Sequence, residues 1–207
     1  MTEVKRGRGR PPKTQTVNDQ ITDSVTVNEP KNSELKIFRT HASVPMPKFS
    51  TTQSACFDLA FCGMGKAVYT GYNQSNAKFE RPLHKGNIYI TPGDRIMVPT
   101  GLIFDIPVGY SVRIHSRSGL SLKQGLVLIN GEGVIDSDYT QETMLLMYNA
   151  SQNGLWINEG DRLCQAELTK QENYSIMETF SRPGIKTDRI GGFGSTGVIT
   201  ITNVGVV

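Results

Sequence analysis

Asn87-Ile-Tyr-Ile-Thr-Pro-Gly-Asp-Arg-Ile-Met-Val-Pro-Thr-Gly-Leu-Ile-Phe-Asp-Ile-Pro-Val-Gly-Tyr-Ser-Val-Arg-Ile-His115 reads as four short strands in succession. Ile88 and Ile90 alternate with polar neighbours over Asn87–Thr91, and Pro92-Gly93-Asp94 supplies a turn. Arg95–Pro99 and Gly101–Ile106 follow, the second stopped by Pro107 and Gly109. Tyr110–His115 then places Val112 and Ile114 on one face and Arg113 on the other. Working outward, Leu126–Ile129, Thr143–Tyr148, Leu155–Ile157, Arg162–Thr169 and Ser175–Phe180 have the same character. Short runs punctuated by Gly and Pro predict an all-β sandwich or barrel. Leu120–Lys123 alone has a helical look, and four residues are too few for an independent helix.

Composition agrees. The chain has 207 residues, 37% of them hydrophobic and 20% charged, with 21 glycines and ten prolines, as in a turn-rich globular protein. No run approaches the roughly 20 apolar residues that cross a bilayer, and the start lacks an apolar signal core, so neither a membrane partner nor secretion is expected. Cys56, Cys62 and Cys164 are an odd number without a Cys-x-x-Cys pair. A disulfide framework or a structural zinc site is therefore not expected, and a reducing compartment fits. His41, His84 and His115 are far apart and are read as structural or exposed rather than metal-binding.

Charge divides the chain into parts. The first thirteen residues hold five basic groups against Glu3 alone, a net +4, so the remainder contributes −1 to the overall +3. A basic body surface for nucleic acid is excluded. Residues 1–34 are polar and predict a disordered tail, with folding starting near Leu35. Within 63–85, Tyr69, Tyr72 and Phe79 stand among Gly, Asn, Gln and Ser, a pattern for a loop or short hairpin.

Five segments carry the chemistry. Ala55-Cys-Phe-Asp-Leu59 has one acid in an apolar strand, and Ser116-Arg-Ser-Gly-Leu120 joins a cation to hydroxyls at a strand end. Asn130-Gly-Glu-Gly-Val-Ile-Asp-Ser-Asp-Tyr139 turns into two acids and an aromatic ring. Gly160-Asp-Arg-Leu-Cys-Gln165 enters a strand and offers an amide, and Arg189-Ile-Gly-Gly-Phe-Gly-Ser-Thr-Gly197 is glycine-rich. Singly, each has a plain structural reading: a satisfied acid, a turn, a linker. Together they suit a triphosphate, which needs cations, hydroxyls and open backbone N–H groups. Arg117 and Arg189 can grip phosphate, Ser118, Ser195 and Thr196 can donate to it, and Phe193 can stack on a base. Asp58 and Asp136 suit Mg²⁺ or a water nucleophile. The Gly-x-x-x-x-Gly-Lys pattern of P-loop enzymes is missing.

In this order the five segments resemble the motifs of the homotrimeric dUTP pyrophosphatases, the dUTPases. Gly133-Val-Ile-Asp-Ser-Asp-Tyr139 and Gly192-Phe-Gly-Ser-Thr-Gly197 carry most of the likeness, which covers residues 35–198. It implies a jelly-roll β-sandwich of the β-clip kind, a homotrimer with sites shared between subunits, and conversion of dUTP and water to dUMP and pyrophosphate with Mg²⁺. A cytoplasmic location, or the host cytoplasm for a viral or phage protein, follows from the resemblance. It implies that Asp136 activates the attacking water with Gln165 helping to position it, and that Ser118 stabilises charge at the α–β bridging oxygen. Arg117 and Gly119 then belong to the phosphate loop, and Asp58 to the Mg²⁺ shell through water. Asn130, Gly133, Val134 and Ile135 fall to the uracil pocket, and Tyr139 to the sugar, where it excludes a 2′-hydroxyl. Arg189, Gly192, Phe193, Gly194, Ser195 and Thr196 form the closing C-terminal arm.

Departures from the pattern are Cys56 for a second glycine, Thr140-Gln141 after the tyrosine, and Cys164 for alanine. An insertion falls within 63–85, and 199–207 extends past the arm with Ile199, Ile201, Val204 and Val206 able to dock as a strand. Three other readings compete. A dCTP deaminase shares the fold but resembles Asp-Pro-Gly-Phe where this chain has Asp136-Ser-Asp-Tyr139. A partner-binding protein built on a dUTPase body would dock through the insertion. Separately, Arg8-Gly9-Arg10-Pro11 resembles the core of an AT-hook, which reads the narrow minor groove of A·T-rich DNA.

Overall fold

In the computed structural model, which describes residues 33–188, the opening stretch folds as β5 (Ile88–Ile90), β6 (Arg95–Pro99), β7 (Leu102–Asp105) and β8 (Tyr110–Ser116). Before it come β1 (Lys36–Arg39), β2 (Phe57–Ala60), β3 (Val68–Tyr72) and β4 (Lys78–Pro82). After it come α1 (Ser118–Gln124), β9 (Leu126–Leu128), β10 (Glu132–Ile135), β11 (Met144–Asn149), β12 (Leu155–Ile157) and β13 (Arg162–Lys170). Every pairing among the described strands is antiparallel. One sheet runs β10-β8-β13-β2 and a second runs β4-β3-β6-β11-β9, with β1-β7 and β12-β5 as two-stranded ribbons.

The two larger sheets bury a single apolar cluster. Leu59, Val112, Ile114 and Ala166 enter it from the first, and Ile96, Val98, Leu145 and Met147 from the second. Burial of each such aliphatic chain stabilises the fold by about 1.5–3 kcal/mol. Alternation in β2 sends Phe57 and Leu59 inward and leaves Asp58 and Ala60 on the outer face. In β13, Ala166 is inward and Gln165 and Glu167 lie opposite. The outer face of this sheet is therefore the polar one.

One local expectation holds and two are corrected. The 63–85 segment is a hairpin, β3–β4, whose five-residue strands pair from Val68↔Pro82 to Tyr72↔Lys78 and place β4 at the edge of the larger sheet. Arg81 of β4 reaches the buried Asp94, Nη1 to Oδ2 2.6 Å, and Thr91 donates to the same carboxylate. A buried charge needs such partners, so this contact fixes the hairpin to the Pro92-Gly93-Asp94 turn. A helix of seven residues does form at α1: Gly125 in the left-handed region (φ 67°) caps it by donating to Ser121 O, and Leu120 packs against the core. Conversely, Ser175–Phe180 is no strand. It meets no partner strand, and Ile176, Met177 and Phe180 are exposed. The tail 1–32, the glycine-rich arm from Arg189 and the 199–207 extension lie outside the described residues.

Candidate active site

The first cleft opens where β2, β8 and β13 meet. Asp58 and Gln165 are cross-strand partners, and Gln165 is in turn opposite His115, so the three share one row of the outer face. Arg117 and Ser118 follow directly at the end of β8. Arg117 Nε lies 3.0 Å from Asp58 Oδ1, and its Nη1 donates to the Arg162 carbonyl at 2.8 Å. Arg162 Nη1 meets the other Asp58 oxygen at 2.8 Å. Both oxygens of Asp58 are thus held by guanidinium groups, and Arg117 is aimed by two partners. Ser118, Gly119, Lys123 and Gln165 line the rest of the cleft, and a Cβ on Gly119 would meet nothing within 4 Å. Cations, a hydroxyl and an amide converge here, a set suited to polyphosphate oxygens.

As for magnesium, Asp58 is the sole carboxylate lining this cleft among the described residues. With both its oxygens paired, it suits the ion as an outer partner through water, the inner oxygens coming from a triphosphate.

The second cleft lies under the turn between β9 and β10. Asn130, Gly133, Val134, Ile135, Asp136 and Tyr139 line it, with apolar support from Met97, Leu128, Met144 and Leu146. Asn130 Nδ2 donates to Glu132 O at 3.1 Å, Tyr139 N to Asp136 O at 3.1 Å, and Tyr139 OH to Glu142 O at 3.2 Å. Gly133 presses on β8: a Cβ there would come within 3.1 Å of Ile114, which keeps a side chain out of the cleft wall. Asp136 is exposed, and among the described residues its carboxylate has no hydrogen-bond or ion-pair partner.

The sequence-predicted residues therefore divide. Asp58, Arg117, Ser118, Gly119 and Gln165 share the first cleft; Asn130, Gly133, Val134, Ile135, Asp136 and Tyr139 share the second. The two clefts have no lining residue in common. Register explains the separation. Ile135 pairs with Val112, and Arg117 is five residues further along β8, roughly 17 Å at the strand rise. Asp136 and Ser118 of one chain thus cannot serve the same phosphate. Arg162 was missed by sequence reasoning; its signal was its place just after the Gly160-Asp161 turn, where a register irregularity in β13 follows it. Beneath the first cleft, Cys164 is on the inner face, its Sγ 3.6 Å from Met147 Sδ, and burial pushes its thiol up to about 12 against a smaller opposing effect of Arg117.

Comparison with known proteins places the chain among dUTPases. The family model described as dUTPase matches residues 84–197. The deoxyuridine 5'-triphosphate nucleotidohydrolase of Finegoldia magna is 39% identical over 154 residues, 74% of this chain and 92% of that protein. A mutant dUTPase of Staphylococcus bacteriophage 80alpha with dUpNHpp has a TM-score of 0.62 at 18% identity, over 80% of this chain and 99% of that one. A mutant dUTPase from phage phi11 of S. aureus, described with a coordinated structural Mg(II) ion, has a TM-score of 0.56 at 18% identity, over 72% of this chain and 98% of that one. At that identity the two solved structures establish the shared fold.

Proposed function

The chain belongs to the dUTPase family, and on that premise we propose that it hydrolyses dUTP to dUMP and pyrophosphate in the cytoplasm. The observation that carries this reading is the row of Asp58 and Gln165 ending at Arg117 and Ser118, in a cleft lined by cations, hydroxyls and an amide.

Asp136 holds a water and takes its proton as the oxygen attacks the α-phosphorus, with Gln165 positioning that water. Ser118 donates toward the α–β bridging oxygen as charge develops there, and Arg117 stabilises the same charge from a fixed position. Asp58 would hold Mg²⁺ through water, and the ion, when bound with the triphosphate, would supply neutralisation of phosphate charge. Asn130 and the backbone of Gly133, Val134 and Ile135 pair with the uracil edge; a cytosine leaves buried polar groups unmatched. Tyr139 packs on the deoxyribose and leaves no space for a 2′-hydroxyl. Arg189, Ser195 and Thr196 clamp the terminal phosphate, Phe193 covers the base, and Gly192 and Gly194 let the arm bend over it.

The roughly 17 Å between the Ile135↔Val112 pair and Arg117 along one chain supports a composite site. One subunit brings the phosphate cleft, a neighbour brings the hairpin cleft, and the arm comes across subunits of a homotrimer. Deamination of dCTP fits poorly. Apart from Asp136, the hairpin cleft offers a base only apolar side chains, the Asn130 amide and the Tyr139 phenol, so a second acid–base group is lacking among the described residues.

The test is pyrophosphate release from dUTP, dTTP, dCTP, dATP, dGTP and UTP with and without Mg²⁺. Selective, Mg²⁺-dependent release from dUTP is expected; comparable rates on dTTP and dCTP would refute the pocket assignment. In the tail, Arg8-Gly9-Arg10-Pro11 adds contact with A·T-rich DNA, checked by comparing A·T-rich and G·C-rich duplex binding of the full chain with and without Arg8→Ala and Arg10→Ala.

A further inference from the structure

Three residues that the proposed hydrolysis does not use come together beside the phosphate cleft. Cys56 stands immediately before β2, His115 is in β8 and Glu167 is in β13. The Cys56 Sγ, one His115 ring nitrogen and one Glu167 carboxylate oxygen all lie within 4.8 Å of one another. His115 Nε2 is 3.2 Å from Glu167 Oε1, while its Nδ1 lies 3.8 Å from Glu132 Oε1 on β10. One ring nitrogen therefore faces the cluster and the other faces an outer carboxylate. At 3.8 Å the outer contact is electrostatic rather than a hydrogen bond, since Glu132 accepts from Arg113 Nη1 at 3.0 Å.

The positions are as telling as the distances. Cys56 is two residues from Asp58, His115 two from Arg117, and Glu167 two from Gln165. Gln165 and Glu167 share the outer face of β13, and His115 stands opposite Gln165 in the phosphate row itself, so the cluster borders that row.

We propose that Cys56, His115 and Glu167 form a divalent-metal site of zinc type, a clip that ties the residue before β2 to β8 and β13 at the margin of the phosphate cleft, which Cys56 itself lines. One thiolate, one imidazole and one carboxylate select zinc over the hard, oxygen-seeking Mg²⁺. A water fills the fourth position. All three residues are partly exposed, so the ion has a path of entry. Burial, and to a lesser degree Glu167, pushes the Cys56 thiol up, so it is protonated at neutral pH before the metal arrives. On binding, the sulfur–metal bond forms as that proton passes to solvent, and the cation neutralises Glu167. The competing account is a His115–Glu167 ion pair with a bystander thiol.

The two accounts differ spectroscopically. The full-length protein, stripped with a chelator and dialysed, is titrated with Co²⁺ and then with Zn²⁺ as competitor. We expect one Co²⁺ per chain, with a thiolate-to-cobalt charge-transfer band that Zn²⁺ removes. Cys56→Ser eliminates the band, and Cys62→Ser and Cys164→Ala retain it. Absence of the band in the folded wild-type chain would overturn the proposal, as would its persistence in Cys56→Ser. Should Cys56→Ser fail to fold, His115→Gln replaces it under the same criterion of band loss. Because the readout is metal-centred, its failure leaves the dUTP assignment untouched, and the reverse holds too.

Discussion

Asp58 and Asp136 are both aspartates at the margins of one sheet, and they are prepared for opposite work. Asp58 has a guanidinium on each oxygen, and its side chain is only 16% exposed. Asp136 is open, and among the described residues no side chain pairs with it. The first cleft is rigid before a ligand arrives, because Asp58, Arg117 and Arg162 fix one another. The second is shaped by backbone hydrogen bonds and apolar walls around a tight turn. A carboxylate already paired by two cations is spent on positioning, whereas a free one can accept a proton. The contrast separates the scaffold of phosphate binding from the chemistry.

Substitutions should divide along the same line. Asp136→Asn keeps the shape of the hairpin cleft and removes its base; kcat for dUTP should fall about 10²–10⁴-fold in single-turnover and steady-state assays. Little change in kcat would place the base elsewhere. Arg117→Ala frees one Asp58 oxygen and removes a fixed cation from the phosphate cleft, and a loss of roughly 10²–10³-fold in kcat is expected. The same pair predicts that mixing Asp136→Asn with Arg117→Ala chains restores activity, since one composite site per mixed trimer escapes both lesions; no restoration would argue against sharing. Tyr139→Ala should relax discrimination between dUTP and UTP by roughly 10–200-fold, read as the ratio of their kcat/KM values.

The smallest effect at neutral pH concerns the sulfur beneath the first cleft. Cys164 has its thiol pushed up to about 12 by burial, against an ordinary 9.0. Below pH 9 both folded and unfolded chains keep that proton, and the full contribution is present. Between 9 and about 12 the unfolded chain loses the proton and the folded one does not, so stability declines as pH rises. Urea unfolding should show wild type losing stability relative to Cys164→Ala across that window, and no relative change below it.

The fold was largely legible because alternation is regular in β5 and β7 and holds over most of β6 and β8, and the buried face follows from it. Two local readings failed for tertiary reasons. The α1 segment is too short to be helical alone but has a glycine cap and a core contact through Leu120, neither visible as periodicity. Ser175–Phe180 has strand-like composition but no partner, and a strand without a partner is not a strand. The site residues were recognisable as types in an order. Their division into two clefts was not, because it depends on the Ile135↔Val112 register, which pattern alone does not fix. The same holds for Cys56, His115 and Glu167, separated by about fifty residues at each step in the chain and united only by strand pairing.

The edge strand β4 has one more consequence. Its residues Lys78, Glu80, Arg81 and Pro82 alternate charge with a ring that has no amide hydrogen to donate. An approaching ribbon of foreign backbone finds ions to desolvate and a missing rung. The excursion that lengthens the sheet thus ends it as well, guarding concentrated solutions of this protein against runaway lateral stacking.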